Sequence, residues 1–409
     1  MTGALYLTRT GLLEPLGQSQ VMAYLRGLSA DYEITLVSFE KPSDLEDTAA
    51  VAAARADCAA HGIRWVPLRF RRGPKLLAPL FGMAQMLWIA RREVRAGRAH
   101  LIHARSYVPA GVALLAHWIT GVPFIFDMRA LWPEELITAG RLRRGGLVHR
   151  ALKRLERACL SHAAATVSLT RAAVPHLCAL SPGFDPARVH VIPTCADLDR
   201  FVPTPRPAGD PPVFGCAGTV LSGWFRADLL DQIFGALARR DPAARFEVLT
   251  RDDPEAVRAA LPSLAGEPDR LTVFARRPED MPEALGRHAA SVIVYAGGAV
   301  SELGRSPTRL AELLGCGVPV IANAGVGDVA EVIERHRVGV VLRGEGRDEI
   351  AAAVDALRAG LTEPELPARC RAAAEAEFSL DAGTAAYAAI YERVLGRSEA
   401  PADTGIAAQ

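Results

Sequence analysis

Short apolar runs of five to seven residues alternate along the chain with longer stretches in which apolar positions recur every three or four residues. Runs of that length read as strands buried on both faces, and the longer pattern as helices, so the alternation predicts βαβ units and parallel sheets. Strands are expected at 4–8, 33–39, 63–68, 100–104, 123–128, 165–169 and 189–193, and in a second series at 213–218, 246–250, 271–275, 291–296, 319–323 and 338–342. Between the series lies PTPRPAGDPPV (203–213), with five prolines in eleven residues, which neither a helix interior nor a central strand tolerates. The pattern therefore predicts two doubly wound α/β domains, at 1–203 and 213–377, joined by a linker at 204–212. A last amphipathic helix is expected at 378–396, with Tyr387 and Tyr391 one turn apart on one face, followed by a disordered tail at 397–409.

Composition agrees with two cores rather than one: 409 residues exceed the size at which a single core stops growing, and 50% of them are hydrophobic. The seven cysteines are odd in number and scattered with no CxxC pair, which excludes a disulfide framework or zinc knuckle and points to a reducing, cytoplasmic setting. The N-terminus lacks the basic, apolar and small-residue succession of an export signal. The most apolar stretch, 76–90, is 15 residues long and interrupted by Pro79, Gly82 and Gln85, short of a membrane span.

Net charge is +1, but residues 60–160 hold 18 Lys and Arg against 5 Asp and Glu, 18 − 5 = +13, so the remainder is acidic by about twelve. Two basic amphipathic stretches, 76–98 and 141–157, fit a protein peripheral to the inner face of an anionic membrane, where it would reach a lipid-linked acceptor. Core packing with solvated arginines explains the same stretches, since lysine is nearly absent and arginine replaces it everywhere.

In open parallel sheets ligands bind beyond the carboxyl ends of the strands, which directs attention to the loops there. The first, TRTGLLEPLGQSQ, carries Gly11 and Gly17 before a helix expected near Gln18, where backbone N–H groups would attract a phosphate. RSPTRLAELLGCGVPVIAN (305–323) is the strongest local signal. Ser306 suits a helix N-cap, Pro307 the first position, and Thr308 and Arg309 the first turn, a site for a diphosphate. Glu312 lies one turn deeper, placed to accept bonds from a ribose diol or to pair with Arg309.

SPTRLAELLGCGVPVIAN resembles the donor-site signature of retaining GT-B glycosyltransferases, glycosyltransferase family 4. GLLEPLGQSQVMAYLRGLS is similar to that family's first glycine loop and helix, HVIPTCADLDRF to its element at the end of the first domain, and FGCAGTVLSGWF to the start of its second. The resemblance spans roughly residues 4–396 and implies two Rossmann-like domains facing across a cleft, an acceptor-side domain first and a nucleotide-sugar domain second, with the C-terminal helix crossing back. It implies a ribose contact for Glu312. The first glutamate of the family's E-x7-E motif falls at Gly304, with Glu302 two residues away as the available sugar-facing carboxylate. The family's Arg and Lys after the first strand of the second domain are missing, leaving Arg226, Arg251 or Arg309 to supply positive charge.

FIFDMRALWPEE places Asp127 where many family members carry a histidine, and it also resembles the E-V-R-D-L-W-P-E string of enzymes that build envelope polysaccharides. Asp127 would orient or deprotonate the acceptor hydroxyl and Arg129 would hold an acceptor phosphate; alternatively the two form a loop-ordering ion pair. His103 and Arg105 end the neighbouring strand as further substrate-binding candidates. Amides, a helix terminus and arginines can stabilise a departing diphosphate, so no cofactor and no metal is expected; the only D-x-D, Asp197 to Asp199, reads as structural. Departure and attack on one face of the sugar, as the resemblance implies, need no protein nucleophile.

The expected activity is therefore transfer of a sugar from a UDP- or GDP-type donor to a hydroxyl of a saccharide or lipid-linked acceptor, in envelope polysaccharide or glycoconjugate assembly, with no nucleic-acid partner. A nucleotide-sugar 2-epimerase of the same architecture and a non-catalytic nucleotide-sugar or polyanion binder are the alternatives.

Overall fold

The computed structural model describes residues 1–71, 73, 77–181, 183–205, 209–296 and 300–396; linker residues 206–208 and the tail at 397–409 lie outside them. The first half forms seven parallel strands: β1 (Thr2–Leu7), β2 (Tyr32–Glu40), β3 (Arg64–Arg69), β4 (Leu101–Arg105), β5 (Phe124–Asp127), β6 (Ala165–Ser168) and β7 (Val189–Val191), ordered β3-β2-β1-β4-β5-β6-β7. The second half forms six: β8 (Val213–Ala217), β9 (Arg245–Leu249), β10 (Leu271–Phe274), β11 (Ala290–Ile293), β12 (Val320–Asn323) and β13 (Gly339–Leu342), ordered β10-β9-β8-β11-β12-β13. Each expected strand appears within two residues of its predicted start, because helices cover both faces of both sheets and leave the central strands uninterrupted apolar runs.

Two glycines fix how closely layers approach. A Cβ on Gly215 would meet the His288 ring at 1.9 Å, and one on Gly17 would meet the Gly11 carbonyl at 2.0 Å, so neither position admits a side chain. The seven cysteines are all free.

The final helix, Leu380–Val394, leaves the second domain and packs on Ala23–Leu28 of the first. Tyr387, Ile390 and Tyr391 belong to the same core cluster as Tyr6, Leu25 and Ile34. A second bridge is the segment around Val300–Leu303, which inserts between the domains: Val300 and Leu303 pack against the first domain's core, and Ser301 Oγ lies 3.0 Å from Thr138 Oγ1. These contacts bring the carboxyl ends of β5, β6 and β7 against the loops that follow β11 and β12.

Candidate active site at the domain junction

The donor-signature helix runs Thr308–Gly315, and Pro307, with an extended ψ of 121°, takes the N-cap position expected for Ser306. Ser306 does not cap: its Oγ instead accepts the Thr194 N–H at 3.1 Å, tying the end of the first domain to the start of this helix. With no side-chain cap, the first-turn N–H groups keep no side-chain acceptor, and an anion there would be stabilised by both the amides and the helix dipole. Arg309 pairs with Glu312, which is 8% exposed; burial pushes the Glu312 carboxyl up and Arg309 opposes that. The ion pair considered for Glu312 is thus present, with its carboxylate buried and its guanidinium partly exposed.

The two candidates for the first glutamate separate. A Cβ on Gly304 would approach the Leu131 side chain at 3.0 Å and its backbone nitrogen at 3.2 Å, so the first domain closes directly over this position. Glu302 is fully buried, and both its oxygens are bonded to Arg305, at 2.5 and 3.1 Å. Arg305 in turn lies over the rings of Trp224, 5.2 Å away, and Tyr295, 5.4 Å away. Tyr295 is locked by Asn323, whose amide bonds both its N–H and its carbonyl at 2.9 and 2.8 Å. Glu135 of the first domain approaches the same cluster: burial raises its pKa, Arg305 lowers it and Glu302 raises it further. A cavity of about 180 Å³ lies between the domains beside this cluster, lined by Thr170 and Arg171 on one side and Arg305, Ser306, Pro307 and Asp328 on the other.

Across the junction, Asp127, His103, Arg105 and Arg129 gather at the carboxyl ends of β4 and β5. Asp127 is 1% exposed, and its Oδ2 accepts the Tyr387 hydroxyl at 3.2 Å and faces His103 Nε2 at 3.4 Å. Tyr391 lies 2.9 Å from His103 Nδ1. Burial lowers the His103 pKa against the pull of Asp127, so the ring is neutral near pH 7; a proton on Nε2 then points to Asp127 and Nδ1 accepts from Tyr391. Burial also opposes ionisation of Asp127, yet Arg129, at 3.9 Å, and His103 outweigh it and lower its pKa. The crossover helix covers Asp127, and in this arrangement its carboxylate orders its neighbours.

The arginines carry surplus charge. Arg105 is 6% exposed, forms no ion pair among the described residues, reaches only Thr10 Oγ1 at 3.3 Å and keeps an unpartnered Nε. Burial, then the nearby Arg129, lower its pKa. Arg129 donates to Gln20 at 3.1 Å and to Tyr387 at 3.4 Å, again with an unpartnered Nε. The backbone here is strained: Ser106 has φ 76° and Arg129 φ 59°, both in the left-handed region that side chains avoid, a cost concentrated at functional sites.

Other candidates are differently employed. Gly17 only permits the tight turn, and Gln18 donates to the Leu12 carbonyl at 2.8 Å. The N–H groups of Leu12 and Leu13 in that loop bond the buried Glu40 carboxylate, at 2.8 and 3.1 Å, so the first glycine loop has spent on the protein's own anion the amides expected to cradle a phosphate. Its helix starts at Pro15, passes through a π-turn at Gln18–Met22 and continues as Ala23–Leu28. Arg226 is held by Asp228 and Glu345, each at 2.7 Å, and has no charge to spare, whereas Arg251 is exposed and forms no ion pair among the described residues. Asp197 caps its own turn, accepting from the Asp199 and Arg200 N–H groups. Arg305, Trp224, Tyr295 and Gln20 were not singled out by sequence reasoning, although Arg305, Trp224 and Gln20 lie inside the quoted strings; Tyr387 was read as one face of the last helix, without its partners.

Two parallel-sheet domains meeting at their carboxyl edges, with a C-terminal helix returning to the first, define the GT-B class of glycosyltransferase folds. Comparison with known proteins places the chain in that class. Residues 17–195 match the family described as Glycosyl transferase 4-like domain. No curated protein sequence matches. Among solved structures, Anabaena HepE in complex with UDP and glucose superposes with a TM-score of 0.68 at 16% identity, covering 96% of this chain and 100% of that one. A glycosyltransferase from Rickettsia africae gives 0.72 at 13% identity, covering 97% and 99%. A putative UDP-N-acetylglucosamine 2-epimerase from Listeria monocytogenes gives 0.61 at 14%, covering 97% of each. Likeness at these identities concerns the fold.

Proposed function

We propose that the chain is a retaining glycosyltransferase that moves a sugar from a nucleotide diphosphate donor of UDP type to an acceptor hydroxyl. The observation that carries this reading is the uncapped N-terminus of Thr308–Gly315, with Arg305, Arg309 and buried Glu312 around it, set against the under-partnered Arg105 and Arg129 of the opposite domain. The amides and arginines stabilise charge on the departing diphosphate, and Glu312, released from Arg309, accepts bonds from the ribose. With Asp127 enclosed, the leaving phosphate itself takes the acceptor proton, so departure and attack share one face of the sugar. Asp127 acts as a positioning residue that keeps Arg129 and the crossover helix in place. Envelope polysaccharide or glycoconjugate assembly is the setting that the FIFDMRALWPEE string supports.

Calorimetry with UDP, GDP and their sugars tests the donor. Glu312→Gln is expected to weaken UDP binding about tenfold, roughly 1.4 kcal/mol, and unchanged affinity removes its ribose role. The Listeria likeness makes epimerisation the rival reading. Acceptor-dependent release of UDP supports transfer; interconversion of the donor sugar without acceptor supports the rival.

A further inference from the structure

A second cavity, of about 320 Å³, opens on the same carboxyl edge of the first sheet, where β1, β2 and β3 end. Its size lies at the lower end of the range for small-molecule sites, roughly 300–1,000 Å³. The walls are apolar: Phe39, Ala78, Met83 and Met86 line it, and Gly82 brings helix Leu77–Arg95 so close that a Cβ there would lie 3.1 Å from the Phe39 ring. The rim is cationic. Arg9, Arg69 and Arg71 all border the cavity, and among the described residues none of them forms an ion pair. Arg9 and Arg71 instead lie over the rings of Phe70 and Phe81, at 5.9 and 4.4 Å. The nearby carboxylates are spent elsewhere, Glu14 on Lys41 and Glu40 on the Leu12 and Leu13 amides.

An apolar chamber under three uncompensated guanidinium groups is complementary to a molecule with a hydrocarbon chain and an anionic head. The surrounding surface indicates where such a molecule comes from. Leu80 and Trp88 on the same helix are each 60% exposed, and Phe81, which lines the cavity, is 44% exposed. An exposed tryptophan with an arginine over its ring, as Arg92 lies over Trp88 at 4.8 Å, suits the headgroup region of a bilayer. We propose that this cavity binds the acceptor as a lipid phosphate: the chain enters the apolar chamber, Arg9, Arg69 and Arg71 hold the phosphate, and the hydroxyl-bearing end extends along the sheet edge toward Arg105 and the domain junction. The acceptor role rests on the transferase reading; the binding site does not.

Calorimetry on the full chain with octyl phosphate, inorganic phosphate and octanol, each alone and beside UDP, tests it. Octyl phosphate is expected to bind at least about tenfold more tightly than either fragment, since head and chain are held together. The double variant Arg69→Gln/Arg71→Gln is expected to lose about tenfold in octyl phosphate affinity with UDP affinity unchanged. Inorganic phosphate binding as tightly as octyl phosphate, octanol doing so, or full retention by the double variant would each overturn the proposal. Cosedimentation separates the sources: phosphatidylglycerol vesicles should carry the protein down and phosphatidylcholine vesicles should not, and equal recovery overturns the bilayer origin. If UDP fails to bind while these results hold, the donor reading falls and the lipid phosphate site stands.

Discussion

Glu93 shows how far one residue's surroundings can fix its charge. Its side chain is 1% exposed, yet Arg64, Arg92 and Arg98 all reach it, the last at 2.8 Å. Burial alone would raise the carboxyl, but hydrogen bonds from Arg98, Arg64 and Arg92 reverse this and lower it from 4.5 to about 2. A folded-state value below the unfolded one means that the carboxylate stabilises the fold fully above pH 4.5 and that this contribution is lost as pH falls toward 2. Glu93→Gln is expected to cost about 3 kcal/mol at pH 7, because three guanidinium groups lose their common acceptor, and the difference from the parent should shrink at pH 3. Urea denaturation of both proteins at the two pH values measures it; a gap that does not narrow contradicts the assignment. Sequence could not reveal this, since Arg64 lies 29 positions away. Nor could it decide between Gly304 and Glu302, because what occupies the space at Gly304 is Leu131, from the other domain.

At the scale of elements, the central strands were legible because a run buried on both faces needs no knowledge of its neighbours. Tyr387 and Tyr391 were legible as one face of the last helix, but their partners were not: Asp127 and His103 lie more than 250 positions earlier and meet them only when the helix crosses back. That geometry makes the helix a cover for the first domain's site. Tyr391→Phe removes the donor to His103 Nδ1 inside a dry core and is expected to lower stability by about 1–2 kcal/mol, read as a fall in the urea midpoint with unchanged m. Tyr387→Phe should cost as much and, by leaving Asp127 and Arg129 less tightly ordered, should also lower turnover more than UDP affinity. Equal losses in both would place Tyr387 in folding alone. The start of the helix expected near Gln18 was misread for a local reason: Pro15, suited to a first helical position, begins it one turn earlier.

For the whole molecule, the junction is closed by a latch that neither domain contains alone. Asp328 of the second domain accepts the main-chain N–H groups of Arg171 and Ala172 in the first, at 2.7 and 2.9 Å, while the Arg171 side chain reaches Glu377 at 3.3 Å. Thr170 adds a hydroxyl bond to the Leu303 carbonyl, directly behind Glu302 and Arg305. The Asp328 and Thr170 contacts join the loop after β6 to the loops after β12 and β11, and Glu377 belongs to the helix Leu366–Phe378, so opening the domains must break all of them together. Donor binding between the domains would oppose that opening, since a ligand bridging both halves favours the closed form by its differential affinity. Asp328→Ala leaves two amides without acceptors in the closed form only, which shifts the balance toward opening by about 2 kcal/mol. Small-angle scattering should then show a larger radius of gyration for the variant without ligand, and saturating UDP should restore the parent value at a higher midpoint concentration. A radius unchanged by the substitution, with UDP affinity also unchanged, would mean that the crossover helix and the Val300–Leu303 insertion hold the domains closed without the latch.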